Sequence, residues 1–216
     1  CFTVSSHTPY VVPQKYKNVY REEGLPIHKC IRYTDMAIGK FFERASKQPW
    51  YKNTIFVLTS DHTNISDHHE YQTDIGGFSS PVIIFDPSGE ITPGMRNGIA
   101  QQIDIMPTLL DILGYDKPFL SFGCDLMKTP MEETYAVNYL NGIYQYCKYG
   151  YVLQFDGLHT RGIYSLDDRL MKVNLKGKVK EQEKMEKELK AIIQQYMYRM
   201  VNDKLMPESQ KSQFNQ

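Results

Sequence analysis

The sequence carries no excess of either charge. Lysine plus arginine and aspartate plus glutamate each number 25, so the formal net charge is zero. Proteins that bind nucleic acid usually present a strongly basic surface, and a neutral chain gives no global sign of one. The same balance gives no reason to expect electrostatic attraction to an anionic membrane. We therefore expect no nucleic-acid partner.

Long apolar runs are also lacking. No stretch reaches the roughly 18 residues that a membrane-spanning helix needs, and no signal peptide is recognisable. The first residue is Cys1 instead of methionine, and it opens a strand-like run over residues 1–6. We expect that further sequence precedes this run in the protein. The oligomeric state is left open.

Paired cysteines are absent as well. The four cysteines lie far apart and form no Cys-x-x-Cys motif, which argues against a zinc ribbon. Buried or free thiols are the expectation for them, although a disulfide between Cys124 and Cys147 stays open. The chain also contains no Gly-x-x-x-x-Gly-Lys-Ser/Thr phosphate-binding loop. Its chemistry must therefore come from other side chains.

The order of apolar patterns predicts an α/β protein. Spacings of three and four predict helices over residues 28–47, 102–113 and 180–203. Continuous apolar runs at 54–60 and 81–85 are typical of strands that are buried on both faces of a parallel sheet. After about residue 130, tyrosine-rich segments predict four short strands, over 134–141, 143–148, 151–156 and 162–166. The dipeptides Asn-Gly, Tyr-Gly and Asp-Gly between them are typical of hairpin turns.

The predicted fold class is therefore α/β, with a mainly parallel sheet flanked by helices on both faces. A small antiparallel sheet and a terminal helix follow it. We predict that residues 1–130 belong to the C-terminal portion of a larger domain. Residues 131–216 would then form the antiparallel sheet and the C-terminal helix, packed on that same domain.

Two residues at the end of a predicted strand could carry chemistry. Asp61 and His62 directly follow the apolar run at 54–60. In open α/β sheets, ligands bind beyond the carboxyl ends of the strands, and carboxylate and imidazole groups are good ligands for a divalent ion. The alternative is that Asp61 caps the next turn and that His62 is an ordinary loop residue.

Further polar residues lie in neighbouring loops. His7 follows the run at 1–6, and it could either reach a substrate or pack against Tyr10. The loop after His62 contains Asp67, His68, His69 and Glu70 in succession. A polar loop of this kind is common, so metal binding by these four residues is the weaker interpretation. Gly76 and Gly77 are interpreted as flexible loop residues.

Further expectations concern the predicted helices. Asp104 is interpreted as a packing or capping residue, and Pro107 as a residue of the first turn of its helix. The lysine and glutamate run at 180–190 is interpreted as a solvated helix face, and Tyr196 and Met200 are assigned to the apolar face of the same helix.

The order of several motifs resembles one known family. The segment Tyr-Thr-Asp-Met-Ala-Ile-Gly-Lys-Phe-Phe at 33–42 precedes Asn-Thr-Ile-Phe-Val-Leu-Thr-Ser-Asp-His at 53–62, and Ile-Ser-Asp-His-His follows at 65–69. A helix with Ile-Asp-Ile-Met-Pro-Thr-Leu-Leu-Asp-Ile-Leu-Gly comes next, at 103–114. Together these segments resemble the lipoteichoic acid synthase–like sulfatase family of the alkaline phosphatase superfamily, over about residues 1–170.

The resemblance implies roles for three residues. Asp61 and His62 match the Asp-His pair that binds the catalytic divalent cation, for which manganese is the first candidate, ahead of magnesium, calcium or zinc. His7 matches the substrate-binding histidine beside the phosphate. The family's nucleophile belongs to a segment that is not in this chain, and no cysteine here opens a Cys-x-Pro-x-Arg sulfatase signature. Asn64 departs from the family, whose close relatives often have glycine there.

The function implied by the resemblance is transfer or hydrolysis at a phosphodiester, such as a lipid phosphoglycerol or phosphoethanolamine head group. The enzyme would act on the outer side of a bacterial membrane or in the periplasm, tethered by a membrane segment upstream of this chain. A sulfatase acting on sulfate esters of glycans is one alternative. A metal- or ligand-binding module without catalysis is another, and the fragment by itself is expected to be inactive.

Overall fold

The computed structural model describes residue 1 and residues 3–207. The chain divides into two compact units, Cys1–Gly94 and Met95–Gln216. The sequence predicts a boundary near residue 130 between two parts of one domain. That boundary stays a prediction. Among the described residues, no helix has the length and apolarity needed to cross a membrane.

The first unit is built on one long helix and two short strands. Helix α1 spans Pro26–Ala45, and strands β1 and β2 span Phe56–Thr59 and Val82–Phe85. The helix begins at Pro26 because proline fits the first turn, where its missing N–H costs no hydrogen bond. The predicted helix at 28–47 and both predicted strands are therefore confirmed, with small shifts of their ends.

Aromatic side chains hold α1 against the strand pair. The ring of Phe42 lies 5.1 Å from that of Phe56 and 5.6 Å from that of Phe85, in edge-to-face arrangements. Tyr51 contacts Phe56 at 5.7 Å between ring centroids. Each such pair contributes about 0.5–1.5 kcal/mol beyond the burial of its surface. This cluster fixes where β1 ends, and hence where Asp61 and His62 are placed.

The strand pair differs from the sequence expectation in two respects, although the fold class is confirmed. Strands β1 and β2 pair antiparallel, with Phe56 opposite Phe85 and Thr59 opposite Val82, within a sheet that was predicted to be mainly parallel. They are also not buried on both faces, since Ile83 is 51% exposed. An apolar run indicates burial directly and strand direction only indirectly, because strands of parallel sheets are usually buried on both faces. The connection from β1 to β2 contains only 3-10 turns at His69–Gln72 and Gly76–Phe78, and no crossover helix.

A strand was predicted over residues 1–6. The part of this range that the structure describes, residue 1 and residues 3–6, forms no strand. The chain turns at Ser5 and Ser6 instead, and the backbone N–H of His7 donates to the carbonyl of Val4 at 3.1 Å. Hydroxyl-bearing residues before a proline favour such turns over an extended ladder.

The second unit begins with a short helix that is organised by a buried carboxylate. A 3-10 turn at Gln102–Asp104 leads into helix α2, Ile105–Ile112, with Pro107 in its first turn as predicted. Asp104 is fully buried, and it accepts hydrogen bonds from the backbone N–H groups of Gln101 at 2.9 Å and Cys124 at 2.8 Å. Burial raises the pKa of Asp104, and these bonds partly offset that effect. The predicted capping role is confirmed.

Four antiparallel strands follow in the order β3-β4-β5-β6. They span Ala136–Leu140, Ile143–Lys148, Tyr151–Phe155 and Thr160–Ser165. Asn141 and Gly142 both have positive φ, as do Tyr149 and Gly150. Two consecutive residues with positive φ make the turn whose twist matches a hairpin. The predicted small antiparallel sheet is therefore confirmed.

Helix α3, Gln182–Val201, packs across this sheet. Among the described residues, the core between this helix and the sheet includes Tyr146, Leu153, Phe155, Ile163, Met185 and Leu189, all of them buried. Further along the predicted apolar face, Tyr196 and Met200 are each 47% exposed, which corrects their assignment to the buried face. Tyr196 contacts Phe122 at 5.7 Å between ring centroids, so this part of the helix packs against the segment before the sheet.

The charged face of α3 was predicted to be solvated, but part of it contacts the sheet. Glu188 accepts hydrogen bonds from the hydroxyl groups of Tyr146 at 2.9 Å and Tyr149 at 2.8 Å, and Lys148 lies 3.7 Å from it. Burial, followed by the Glu188 carboxylate, raises the pKa of Tyr146, so this tyrosine stays neutral and donates. Part of the charge on α3 therefore fixes the helix to the sheet.

The β5–β6 hairpin leads to a prediction about pH. The backbone N–H groups of His159 and Leu158 donate to Asp156, and with Arg161 they lower its pKa to about 2. A depressed pKa stabilises the folded state above the ordinary value of 3.8, and this contribution is lost as pH falls through about 2. In a carbon-13 NMR titration of its carboxyl group, we expect Asp156 to titrate near 2, and Asp156→Asn to flatten the fall in stability over this range. Titration near 3.8 would contradict the hairpin geometry.

Candidate functional site

The candidate site lies at the end of β1. Strand β1 ends at Thr59, and Asp61 and His62 follow after one residue, both 56% exposed at their side chains. The Oδ1 atom of Asp61 accepts a hydrogen bond from the backbone N–H of His62 at 2.9 Å. Asp61 therefore does cap the local turn, as the structural alternative proposed, but this bond uses only one of its two carboxylate oxygens.

The remaining oxygen of Asp61 faces the imidazole of His62. Asp61 Oδ2 and His62 Nε2 are 3.5 Å apart. His62 Nδ1 lies 2.6 Å from the carbonyl oxygen of Thr63, which can only accept, so Nδ1 carries the hydrogen. In the neutral ring, Nε2 then presents a lone pair. This arrangement, in which a backbone carbonyl fixes the tautomer, is typical of histidines that bind metals.

The spacing of these two atoms fits ligands of one ion. Neighbouring ligands of a tetrahedral ion, at metal–ligand distances of about 2.0–2.2 Å, lie about 3.4 Å from each other. The pair fits two positions of such a shell. Within residue 1 and residues 3–207, no group of three or more His, Cys, Asp or Glu side chains could hold a metal ion. The described part of the chain thus offers two ligands and no complete coordination shell.

His7 is exposed and is held in a tight bend. Its Nδ1 atom lies 3.0 Å from the carbonyl oxygen of Thr8, which orients the ring in the same way as in His62. The bend is connected to the loop after His62 by the side chain of Asn64, which donates to the carbonyl of Ser6 at 3.2 Å. The structure therefore brings the His7 segment beside the Asp61–His62 segment, although 54 positions separate His7 from Asp61.

The loop after His62 is ordered by hydrogen bonds. The backbone N–H of Thr63 donates to the carbonyl of Gly77 at 2.9 Å, and the Thr63 hydroxyl contacts the carbonyls of Gly77 and Tyr71. A Cβ atom on Gly76 would lie 1.8 Å from the carbonyl oxygen of Glu70. Gly76 therefore permits a close approach of two backbone segments, which corrects its interpretation as a flexible residue.

The other acidic and histidine residues of this loop interact in separate pairs. His68 Nδ1 lies 3.8 Å from Glu70 Oε1, and Asp67 Oδ2 lies 3.9 Å from His28 Nε2 on α1. Metal binding by the residues Asp67–Glu70 was the weaker interpretation of the sequence. The pairing of Asp67, His68 and Glu70 agrees with that interpretation. No sequence pattern predicts the contact between Asp67 and His28, because a loop residue and the start of a distant helix share no periodicity.

The buried cysteines are poor nucleophiles. All four cysteines are free in the structure, so Cys124 and Cys147 form no disulfide. Burial raises the pKa of the Cys147 thiol to about 12 and raises that of Cys30 as well. The pKa of Cys124 is raised by burial and by the neighbouring Asp104. Because the thiolate is the reactive form, the raised pKa values lower the reactivity of these three residues at neutral pH.

A model of the sulfatase family matches residues 1–115, which include α1, both strands of the first unit and all three candidate site residues. The chain belongs to the sulfatase family. The assignment made from the motifs at 33–42, 53–62 and 65–69 is thereby confirmed, and these motifs all lie inside the matched region.

Two kinds of relative agree with this membership. Lipoteichoic acid synthase of Staphylococcus aureus is 26% identical to this sulfatase-family chain over 170 residues, covering 69% of the chain and 25% of the synthase. A protein of the alkaline phosphatase superfamily from Vibrio parahaemolyticus is 25% identical in sequence, with a TM-score of 0.78 over 96% of this chain and 50% of its own. The alkaline phosphatase-superfamily fold is thereby confirmed.

A third similarity concerns the fold alone. A protein solved in complex with its substrate D-glucosamine-2-N,6-O-disulfate matches with a TM-score of 0.54 at 19% identity, over 90% of this chain and 46% of that protein. The sulfatase-family chain thus spans a quarter of the length of the synthase and about half of the length of each solved relative. Superfamily members include both hydrolases and transferases.

Proposed function

We propose that this chain is part of an extracytoplasmic, metal-dependent enzyme that cleaves or transfers a phosphodiester group. Asp61 and His62 would bind the divalent ion, with manganese as the first candidate, and His7 would contact the substrate. The observation that carries the proposal is the pair Asp61 Oδ2 and His62 Nε2, which face each other at 3.5 Å beyond the end of β1. Similarity to lipoteichoic acid synthase favours a lipid head group as substrate.

The geometry supports a distinct proposed task for each residue. The bond from the His62 backbone to Asp61 Oδ1 fixes the carboxylate, so its second oxygen points toward the imidazole. The contact of His62 Nδ1 with the Thr63 carbonyl keeps Nε2 available as a ligand. A bound divalent ion would neutralise charge that develops during phosphoryl transfer and lower the pKa of a coordinated hydroxyl.

His7 would act on the substrate side. Its Nδ1–H is engaged by the carbonyl of Thr8, so Nε2 is the atom that faces outward. A protonated ring donates from Nε2 to a non-bridging oxygen of the phosphate, and it can pass that proton to a leaving alkoxide. The attacking group is proposed to be a threonine outside this chain, so these residues would bind and orient the substrate and would not perform the attack.

A sulfate ester is the second candidate substrate. Membership of the sulfatase family and the fold shared with a protein solved with a disulfated glucosamine support it. Sulfuryl transfer builds charge on oxygens in much the same way as phosphoryl transfer, so a divalent ion at Asp61 and His62 suits both reactions. A binding module is the third candidate, since the described residues offer two ligands without a third beside them.

We expect the full-length protein to cleave a phosphodiester only when manganese is present. The measurement is turnover of a chromogenic phosphodiester, a chromogenic sulfate ester and phosphatidylglycerol vesicles, before and after removal of metal with EDTA. Loss of phosphodiester cleavage on chelation and recovery on addition of manganese support the proposal. Release of sulfate alone would identify a sulfatase, and metal binding without turnover of any substrate would favour the binding module.

A further inference from the structure

The side chain of Asn64 makes three hydrogen bonds, and two of them connect the two candidate segments. Its Oδ1 accepts from the hydroxyl of Tyr10 at 2.8 Å and from the backbone N–H of Ile65 at 2.8 Å. Its Nδ2 donates to the carbonyl of Ser6 at 3.2 Å. Ser6 and Tyr10 lie on either side of His7, and Asn64 lies two residues after His62. One side chain therefore joins the bend that carries His7 to the loop that follows the proposed metal ligands.

The backbone around His7 needs such support. The N–H of His7 donates to the carbonyl of Val4 at 3.1 Å, and the N–H of Tyr10 donates to the carbonyl of His7 at 2.8 Å, so His7 belongs to two successive turns. Tyr10 has a φ of 57°, in the left-handed region that residues with a Cβ disfavour. A strained residue of this kind persists when the surrounding structure fixes it, and the bond from its hydroxyl to Asn64 does so.

The hydrogen-bonded pair Tyr10–Asn64, called the clamp below, can affect the position of His7 without contacting a substrate. Tyr10 and Asn64 are both partly buried, whereas His7 itself is exposed. Nδ1 of the His7 ring lies 3.0 Å from the carbonyl oxygen of its neighbour Thr8, which belongs to the same bend, so the position of the ring relative to Asp61 and His62 depends on where the bend as a whole is held. Small displacements of a group that contacts the reacting phosphate strongly reduce the rate.

We propose that the hydrogen-bonded pair Tyr10–Asn64 positions His7 against the Asp61–His62 segment. This inference rests on the proposed function for its catalytic consequence, but not for its geometry. Tyr10 and Asn64 are positioning residues: they act through His7 and contact neither the substrate nor the ion.

The test compares two variants with a matched control, each in the full-length protein. Tyr10→Phe removes only the hydroxyl, and Asn64→Ala removes all three bonds. We expect Tyr10→Phe to lower kcat about tenfold, the effect of losing one well-placed hydrogen bond, and Asn64→Ala to lower it at least as much, with KM changed less than twofold and manganese affinity unchanged in both. Tyr71→Phe, which removes a hydroxyl in the same loop, is the matched control and should retain kcat. In a His7→Ala background, Tyr10→Phe should have no further effect.

A second readout does not depend on activity. In metal-free protein labelled with ¹⁵N-histidine, the His7 signals are assigned by their loss in His7→Ala. We expect Tyr10→Phe and Asn64→Ala to shift these signals, and Tyr71→Phe to leave them in place. Unshifted His7 signals in both clamp variants would overturn the clamp whatever the turnover shows. Wild-type protein that turns over no phosphodiester, while the shifts appear as expected, would instead overturn the proposed function and leave the clamp standing.

Discussion

Replacing Asp61 with alanine is expected to reduce manganese-dependent phosphodiester turnover about a thousandfold or more. The variant loses one of the two proposed ligands and also the bond that orients His62. A bound ion contributes several kcal/mol of transition-state stabilisation, and each 1.36 kcal/mol corresponds to about a factor of ten in rate. The measurement is kcat/KM of the full-length protein together with its manganese affinity by calorimetry.

The matched control for this variant is Asp116→Ala, which removes an exposed carboxylate from the second unit. It should keep both turnover and manganese affinity. Asp61→Ala should melt close to the wild-type temperature, because Asp61 is exposed and outside every helix and strand. Wild-type kcat/KM in Asp61→Ala would show that the metal-ligand assignment is wrong, and a large fall in melting temperature would show a structural role instead.

The largest effect on stability is expected from Asp104→Ala. The substitution leaves the backbone N–H groups of Gln101 and Cys124 without their acceptor in a fully buried site. An unsatisfied buried donor costs about 1–3 kcal/mol, so the loss should be about 3 kcal/mol in the free energy of unfolding. Asp104→Asn should also destabilise the protein, because its amide nitrogen would face one of two N–H donors. Denaturant unfolding, followed by far-UV circular dichroism, measures both.

Asp111→Ala serves as the control, since Asp111 lies on the same helix and pairs with Lys128 at the surface. An exposed ion pair of this type contributes little to stability. We therefore expect its effect to be well below that of Asp104→Ala. Equal effects of the two substitutions would mean that the carboxylate of Asp104 does not organise the start of α2 and the segment around Cys124.

The hairpin sheet could be predicted from the sequence almost residue by residue. Its signals are local, because Asn141-Gly142 favours a turn with two positive φ values and Gly150 readily adopts the positive φ of the next turn. Helix α1 was equally accessible through its apolar spacing of three and four. The Asp-His pair was found because it directly follows an apolar strand.

The direction of β2 and the function of single side chains were not accessible in this way. The antiparallel pairing of β1 and β2 depends on the path of the loop between them, which packs Gly76 against the carbonyl of Glu70. The role of Glu188 depends on two tyrosines about forty positions earlier in the chain. No local pattern records such contacts, because each residue alone has several equally acceptable partners.

The sequence by itself determined the family, the hairpin sheet, three helices and the candidates Asp61, His62 and His7, since each depends on short segments whose residues act together. Only the tertiary structure decided that His62 Nε2 faces Asp61 Oδ2, and that Tyr10 and Asn64 join the His7 bend to the loop beyond β1. Tyr10 and Asn64 are 54 positions apart, so their hydrogen bond forms only after folding has brought these two residues together. Its partners are chosen by the packing of the whole unit, and neither residue specifies the other locally.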